Sequence, residues 1–184
     1  SVVAAASRVF DGMPPRFVPA HPIAGREKSG VESSLVDLFA AHKVILTPVQ
    51  TTDPNAIAAV SQMWEATGAQ VKKLGIEQHD LVLAATSHLP HVLAYSIVDT
   101  IAETDYVEQI FQFAAGGFRD FSRIASSDPV MWRDICLENK DAILDVLQKF
   151  QANLKELELA ITKSDGNALM NTFVNAKTIR DANV

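Results

Sequence analysis

The sequence predicts a mainly α-helical protein preceded by a short α/β segment with the pattern of the end of a doubly wound sheet. Three observations carry this. Up to residue 50, two short extended runs (16–20 and 43–47) alternate with helical stretches. Beyond Asp53 the apolar residues recur mostly at helical spacing, with one further strand candidate at 69–74. The 184 residues are 48% hydrophobic, enough to bury a core in one domain or in one domain and part of another.

Residues 1–10 are rich in Ala and Val and read as a helix that ends in the turn Asp11-Gly12-Met13-Pro14-Pro15. In the run 16–20 the chain is extended, and Pro22 biases His21 away from helix, so His21 is expected at the end of a strand. Gly25 and Gly30 permit tight turns, and Ser29 with Glu32 forms a capping box for a helix over 33–39. The β-branched run 43–47 stops at Pro48 and reads as a second strand. Asp53-Pro54 supplies an N-cap and a first-turn proline for a helix carrying Ile57, Val60 and Trp64, ended by Gly68. Helices are then expected at 77–102, 104–115, 119–125, 129–137, 140–163 and 167–181, the last two separated by Asp165-Gly166. In the long one, Ile143, Val146, Leu147, Phe150, Leu154, Leu157 and Ile161 form a stripe that suits a core or a helical dimer interface.

Composition excludes several classes. A net charge of −6, with 16 scattered Lys and Arg, offers no face for nucleic acid. The single cysteine, Cys136, rules out an internal disulfide and a Cys-rich metal site, and fits a reducing, cytoplasmic setting. The N-terminus does not have the form of a signal peptide, and the chain lacks an initiator Met, as a processed protein or a piece of a longer one would. Residues 81–98 carry no Lys, Arg, Asp or Glu and reach the length of a membrane span. Two imidazoles and Pro90 at the centre favour a buried helix with a functional break, so no membrane is expected.

Three stretches could carry chemistry. The loop His21-Pro-Ile-Ala-Gly25-Arg26-Glu27-Lys28-Ser29-Gly30 gathers an imidazole, a guanidinium, a carboxylate and an ammonium beside a strand end, where ligands bind in open α/β sheets; a solvated charged loop is the plainer reading. In Ser87-His88-Leu89-Pro90-His91, two histidines flank a proline that removes a backbone donor, and they read as core histidines or as a site. Zinc on His88 and His91 with Asp120 or Glu27 is a rival without a second ligand-spacing motif, so no metal is expected. Gly116-Gly117-Phe118-Arg119-Asp120-Phe121-Ser122-Arg123 reads either as a glycine break with a surface ion pair or as a place where Arg123 forks onto a ligand carboxylate. Trp132 follows in Asp128-Pro-Val-Met-Trp-Arg-Asp134 and is by itself a core anchor.

Taken together, the loop at His21, the Ser-His-Leu-Pro-His run, the Gly-Gly-Phe-Arg-Asp-Phe-Ser-Arg run and the Asp-Pro-Val-Met-Trp-Arg-Asp run resemble the prephenate/arogenate dehydrogenase (TyrA) family, in order and over nearly the whole chain. One departure is Arg26, where the family keeps Ser or Thr. The resemblance implies a Rossmann-type nucleotide-binding domain followed by a helical dimerisation domain, with substrate held between them. It also implies NAD(P)-dependent oxidative decarboxylation of prephenate to 4-hydroxyphenylpyruvate, or of arogenate to tyrosine. By residue, it implies His21 as the catalytic base, and His91, Arg123, Gly116 and Trp132 at the substrate, Trp132 reaching the neighbouring subunit's site in some relatives. It further implies an ionic network of Glu27 with Asp120 at the entrance, and Arg26, the departure, either extends that network or meets a cofactor phosphate.

No Gly-x-Gly-x-x-Gly turn follows a strand here. The expectation is therefore a truncated enzyme. Residues 1–50 are the remnant of the nucleotide-binding domain and 51–184 the helical domain; the chain dimerises, binds no NAD or NADP by itself and is inactive alone. Tyrosine, the pathway product, is a candidate inhibitor that the sequence leaves open. The competing readings are a non-catalytic dimerisation or tyrosine-sensing module, and a hydroxy-acid dehydrogenase with a helical second domain.

Overall fold

The computed structural model describes residues 2–25 and 30–183. The N-terminal part holds helix α1 (Val2–Val9) and a three-stranded sheet of β1 (Ala20–Ile23), β2 (Lys43–Leu46) and β3 (Gln70–Lys73), in the order β1-β2-β3. β2 and β3 run parallel and are joined by helix α2 (Pro54–Glu65), a right-sized crossover for parallel neighbours. Val44 and Leu46 are fully buried and Ile45 nearly so, which is why β2 reads as an unbroken apolar run. Around them pack Val18, Phe39, Ile57, Val60, Trp64 and Val71, with Phe39 edge-on to Trp64 at 5.1 Å between ring centres. The Asp53 carboxylate accepts from the Asn55 N–H at 2.8 Å and Pro54 opens α2, as the sequence predicts.

Two expectations are corrected in this region. The first strand covers Ala20–Ile23 and not 16–20, so His21 lies within it rather than at its end, and it runs antiparallel to β2. Proline has no N–H to give, and Pro22 is accommodated because β1 is an edge strand among the described residues. The helix expected over 33–39 is a 3₁₀ turn at Val31–Ser33 followed by irregular turns. Ser34 is extended (φ −69°, ψ 146°), and Val31, Leu35 and Val36 all stay exposed, so no apolar face stabilises so short a helix. Ser29 of the anticipated capping box lies outside the described residues, as do Arg26 and Glu27.

The rest is helical. α3 (Ile76–Leu83) passes through a π-helical turn, Ala84–His88, into α4 (Leu89–Ala102). In that wide turn the Leu89 N–H reaches back to the Ala84 carbonyl. Pro90 explains it: its ring would crowd the carbonyl one turn back in a regular helix, and an extra residue in the turn relieves this. The break foreseen at Pro90 thus falls in the turn before it. Helix α5 (Val107–Gln112) is shorter than expected, and α6 (Gly116–Ser122) starts at the glycines rather than after them, with Ala115 extended at its N-cap. A 3₁₀ turn, Arg123–Ser126, follows; it and α6 pack on α4, and the Tyr95 hydroxyl donates to the Ser127 carbonyl at 2.6 Å. α7 (Pro129–Glu138) is capped by Asp128, which accepts from the Met131 N–H at 2.7 Å.

By packing, residues 1–143 form one unit and 144–184 another. The second consists of the body of α8 (Lys140–Thr162) and α9 (Gly166–Asn183), joined through Ser164 in a left-handed conformation (φ 53°). Leu154, Leu159 and Ile161 on α8 and Met170, Phe173, Val174 and Ile179 on α9 are all exposed.

Gly68 ends the turn after α2 at φ +82°, and a Cβ there would meet the Ala40 Cα at 3.3 Å. Gly68→Ala is therefore expected to cost about 1–2 kcal/mol of stability, read as a lower urea midpoint with an unchanged m-value.

Candidate active site

Histidines from three elements meet beside a cavity of about 470 Å³ lined in part by His21, His79, Asp80, His88, Asn139 and Arg8. β1 presents His21, whose Nδ1 lies 2.9 Å from His79 Nε2 on α3. On its other side His79 Nδ1 is 2.8 Å from Asp80 Oδ1. The π turn delivers His88, which is 9% exposed. Asn139, where α7 stops, directs its Nδ2 to the Asp80 carbonyl at 2.9 Å and to His88 Nδ1 at 3.0 Å.

Those two contacts determine a protonation state. A carbonyl only accepts, so the atom facing it is the amide nitrogen, and the same nitrogen then donates its second hydrogen to His88 Nδ1. His88 is thus neutral with its proton on Nε2. Burial, reinforced by the imidazoles of His21 and His79, pushes His88 down to about 4. His21 is also lowered, by burial first and then by His79.

His91, one turn into α4, lies next to this group. Its Nδ1–H donates to the Ser87 carbonyl at 2.8 Å, and its ring stacks on Trp132 with centres 3.6 Å apart and planes 16° apart. Burial lowers its pKa, outweighing the raising effect of the Ser87 bond. Trp132 is 7% exposed, meets His88 edge-on as well, and its indole N–H has no acceptor among the described residues. His21, His88, His91 and Trp132 are therefore neighbours. Gly116 and Asp120 lie on α6 and Arg123 at its end, all exposed; their elements reach the site through α4, and they are not in the cavity's described lining. Among the described residues no group of three His, Cys, Asp or Glu side chains could hold a metal ion.

Sequence reasoning singled out neither His79-Asp80 nor Asn139. The first had a signal: a histidine followed by a carboxylate on the helix that also carries His88. Asn139 had none, because its role depends on where α7 stops. The stretch Ile76–Ala102 is long and apolar enough to cross a membrane, yet it houses three of these histidines and packs against α5 and α6.

A small sheet followed by helices that gather imidazoles beside a cavity has clear counterparts among known proteins. The descriptions "Prephenate dehydrogenase, nucleotide-binding domain" and "Prephenate dehydrogenase, dimerization domain" match residues 1–73 and 76–175. The chain belongs to the prephenate dehydrogenase family. It is 43% identical over 166 residues to cyclohexadienyl dehydrogenase of Zymomonas mobilis, covering 89% of this chain and 57% of that protein. It is 40% identical over 170 residues to prephenate dehydrogenase of Bacillus subtilis, covering 90% and 45%. The chain thus spans about half the length of these relatives. Prephenate dehydrogenase of Aquifex aeolicus, in complex with hydroxyphenyl propionate and NAD+, superposes with a TM-score of 0.88 at 40% identity, over 99% of this chain and 63% of that one. Synechocystis arogenate dehydrogenase does so at 0.80 and 26% identity, over 97% and 64%.

Because folding depresses His88 from 6.5 to about 4, the unfolded chain binds the proton more readily between those values. Stability from this group is complete above about pH 6.5 and lost as pH falls toward 4. Urea midpoints taken across that range should fall toward acid, and fall less steeply in His88→Gln than in the parent.

Proposed function

We propose that this chain carries the proton-accepting and substrate-holding half of a prephenate or arogenate dehydrogenase. The reaction is the NAD(P)-dependent oxidation of a ring alcohol with loss of carbon dioxide, leaving a phenol. The observation that carries the reading is His21: an imidazole whose pKa is lowered, by burial first and then by His79, engaged at Nδ1 and set at a cavity of about 470 Å³. Its Nε2 would accept the proton of the ring hydroxyl as the carbonyl-like state develops. Hydroxyphenyl propionate, the molecule in the Aquifex relative's complex, is a phenol with a carboxylate side chain, which suits a site pairing aromatic and cationic groups.

In this reading Arg123 holds a substrate carboxylate, a task for which a guanidinium is well shaped. His91, Gly116 and Trp132 also bind substrate, the stacked pair of rings fixing the direction of the His91 imidazole. Glu27, Asp120 and Arg26 form an ionic network near the entrance. The residues present do not build a dinucleotide site: the 184 residues contain no Gly-x-Gly-x-x-Gly turn, so no dinucleotide contact is assigned to this chain. The described part of residues 1–73 contributes the three-stranded sheet and the His21 strand. The remaining residues act as the dimerising helical domain, and the cytoplasm is the assigned compartment.

Activity is tested in the chain joined to a glycine-rich dinucleotide-binding segment. His21→Asn should lower kcat about 10²–10⁴-fold with little change in KM, whereas Arg123→Ala should act mainly by raising KM. Normal kinetics in both variants would remove the site assignment. For the dimer, sedimentation should give twice the chain mass, and charged substitutions at Phe173 and Ile179, both exposed on α9, should shift it toward monomer.

A further inference from the structure

We infer that His79 and Asp80 are positioning residues that decide which nitrogen of His21 is the base; the inference rests on His21 being the proton acceptor. Asp80 is a carboxylate and can only accept, so the hydrogen between it and His79 belongs to His79 Nδ1. With its single hydrogen on Nδ1, His79 presents a lone pair at Nε2. The atom 2.9 Å away, His21 Nδ1, must supply the hydrogen of that contact. His21 is left with its lone pair on Nε2.

The alternative arrangement does the opposite. Without an acceptor at Nδ1, imidazole favours the tautomer with its proton on Nε2, which cannot take a proton there. Three consecutive groups, carboxylate, imidazole and imidazole, therefore convert a fixed acceptor into a fixed base two contacts away. Their placement supports this use: His79 is 18% and Asp80 32% exposed at the side chain, and both line the cavity that His21 borders. Asp80 is steadied through its own carbonyl by Asn139, so the carboxylate's helix is tied to the end of α7. His79 Nε2 is the partner of His21 Nδ1, and the effect argued for it passes through His21.

Two-bond proton–nitrogen correlation spectra of the 184-residue chain, recorded at pH 7 without substrate or cofactor, read the tautomer directly. The expected result is His21 protonated at Nδ1 in the parent, mostly at Nε2 in His79→Ala, and again at Nδ1 in His79→Gln, whose side-chain oxygen can accept the same hydrogen. His21 protonated at Nε2 in the parent would overturn the inference, whatever the variants do, and so would a tautomer unchanged in a folded His79→Ala. In the chain joined to a dinucleotide-binding segment, His79→Ala should lower kcat about 10–10²-fold with KM within about twofold, and His79→Gln should recover most of it. Loss of KM alone would count against positioning. The two readings fail separately. A correct tautomer in an enzyme indifferent to His21→Asn defeats the proposed function, whereas a His21-dependent enzyme with the wrong tautomer defeats only the role of His79 and Asp80.

Discussion

One side-chain amide ties the site together. Asn139 sits where α7 ends, and its two hydrogens go to a carbonyl on α3 and to an imidazole in the π turn. The end of α7 is thereby held to a helical stretch 51 to 59 residues earlier by a group that costs little to bury, because both of its donors are satisfied. The contact also has a chemical effect. It leaves His88 no option but to be neutral, and a neutral His88 is what a cavity with His21 and His79 alongside can tolerate. Hydrogen bonding and burial thus push in the same direction, and neither needs a compensating carboxylate at His88.

The π turn has the same economy. A proline in a helix removes one hydrogen bond and crowds a carbonyl, a cost of about 3 kcal/mol in a regular helix. The chain absorbs it by widening the preceding turn, and that widening is the segment on which His88 is displayed. On the far side of Pro90, His91 uses its ring nitrogen to bond the Ser87 carbonyl and lays its face on Trp132. Two histidines three residues apart are thus held by different partners, one an amide and the other a backbone oxygen.

Much of this was legible in the sequence, and for identifiable reasons. Caps announce themselves locally: Asp53-Pro54 and Asp128-Pro129 each hold their helix start as their spacing indicates. The buried run of β2 and the strand at Gln70–Lys73 follow from side-chain type. The 3₁₀ turn at Val31–Ser33 was not legible, because a capping pattern says where a helix can start and not whether anything packs against it. The antiparallel sense of β1 was equally hidden, since strand direction depends on the partner. In the site, His21, His88, His91 and Trp132 stood out by motif, and the structure brings them together. His79, Asp80 and Asn139 did not, because their importance lies in which atoms face each other across 51 to 59 residues of chain.

That separation has a consequence for how the protein is made. His88 and the charge-free stretch around it leave the ribosome before the residues that cover them, and Asn139 follows 51 positions later. At about 5–20 residues per second, the interval is about 3–10 s. For most of it, a segment apolar enough by length and composition to enter a bilayer is present before Trp132 is made to shield its imidazoles. The nascent chain is therefore a client for whatever in the cell first greets exposed apolar helices. The two imidazoles and the proline at its centre help direct it to its own later helices rather than to lipid.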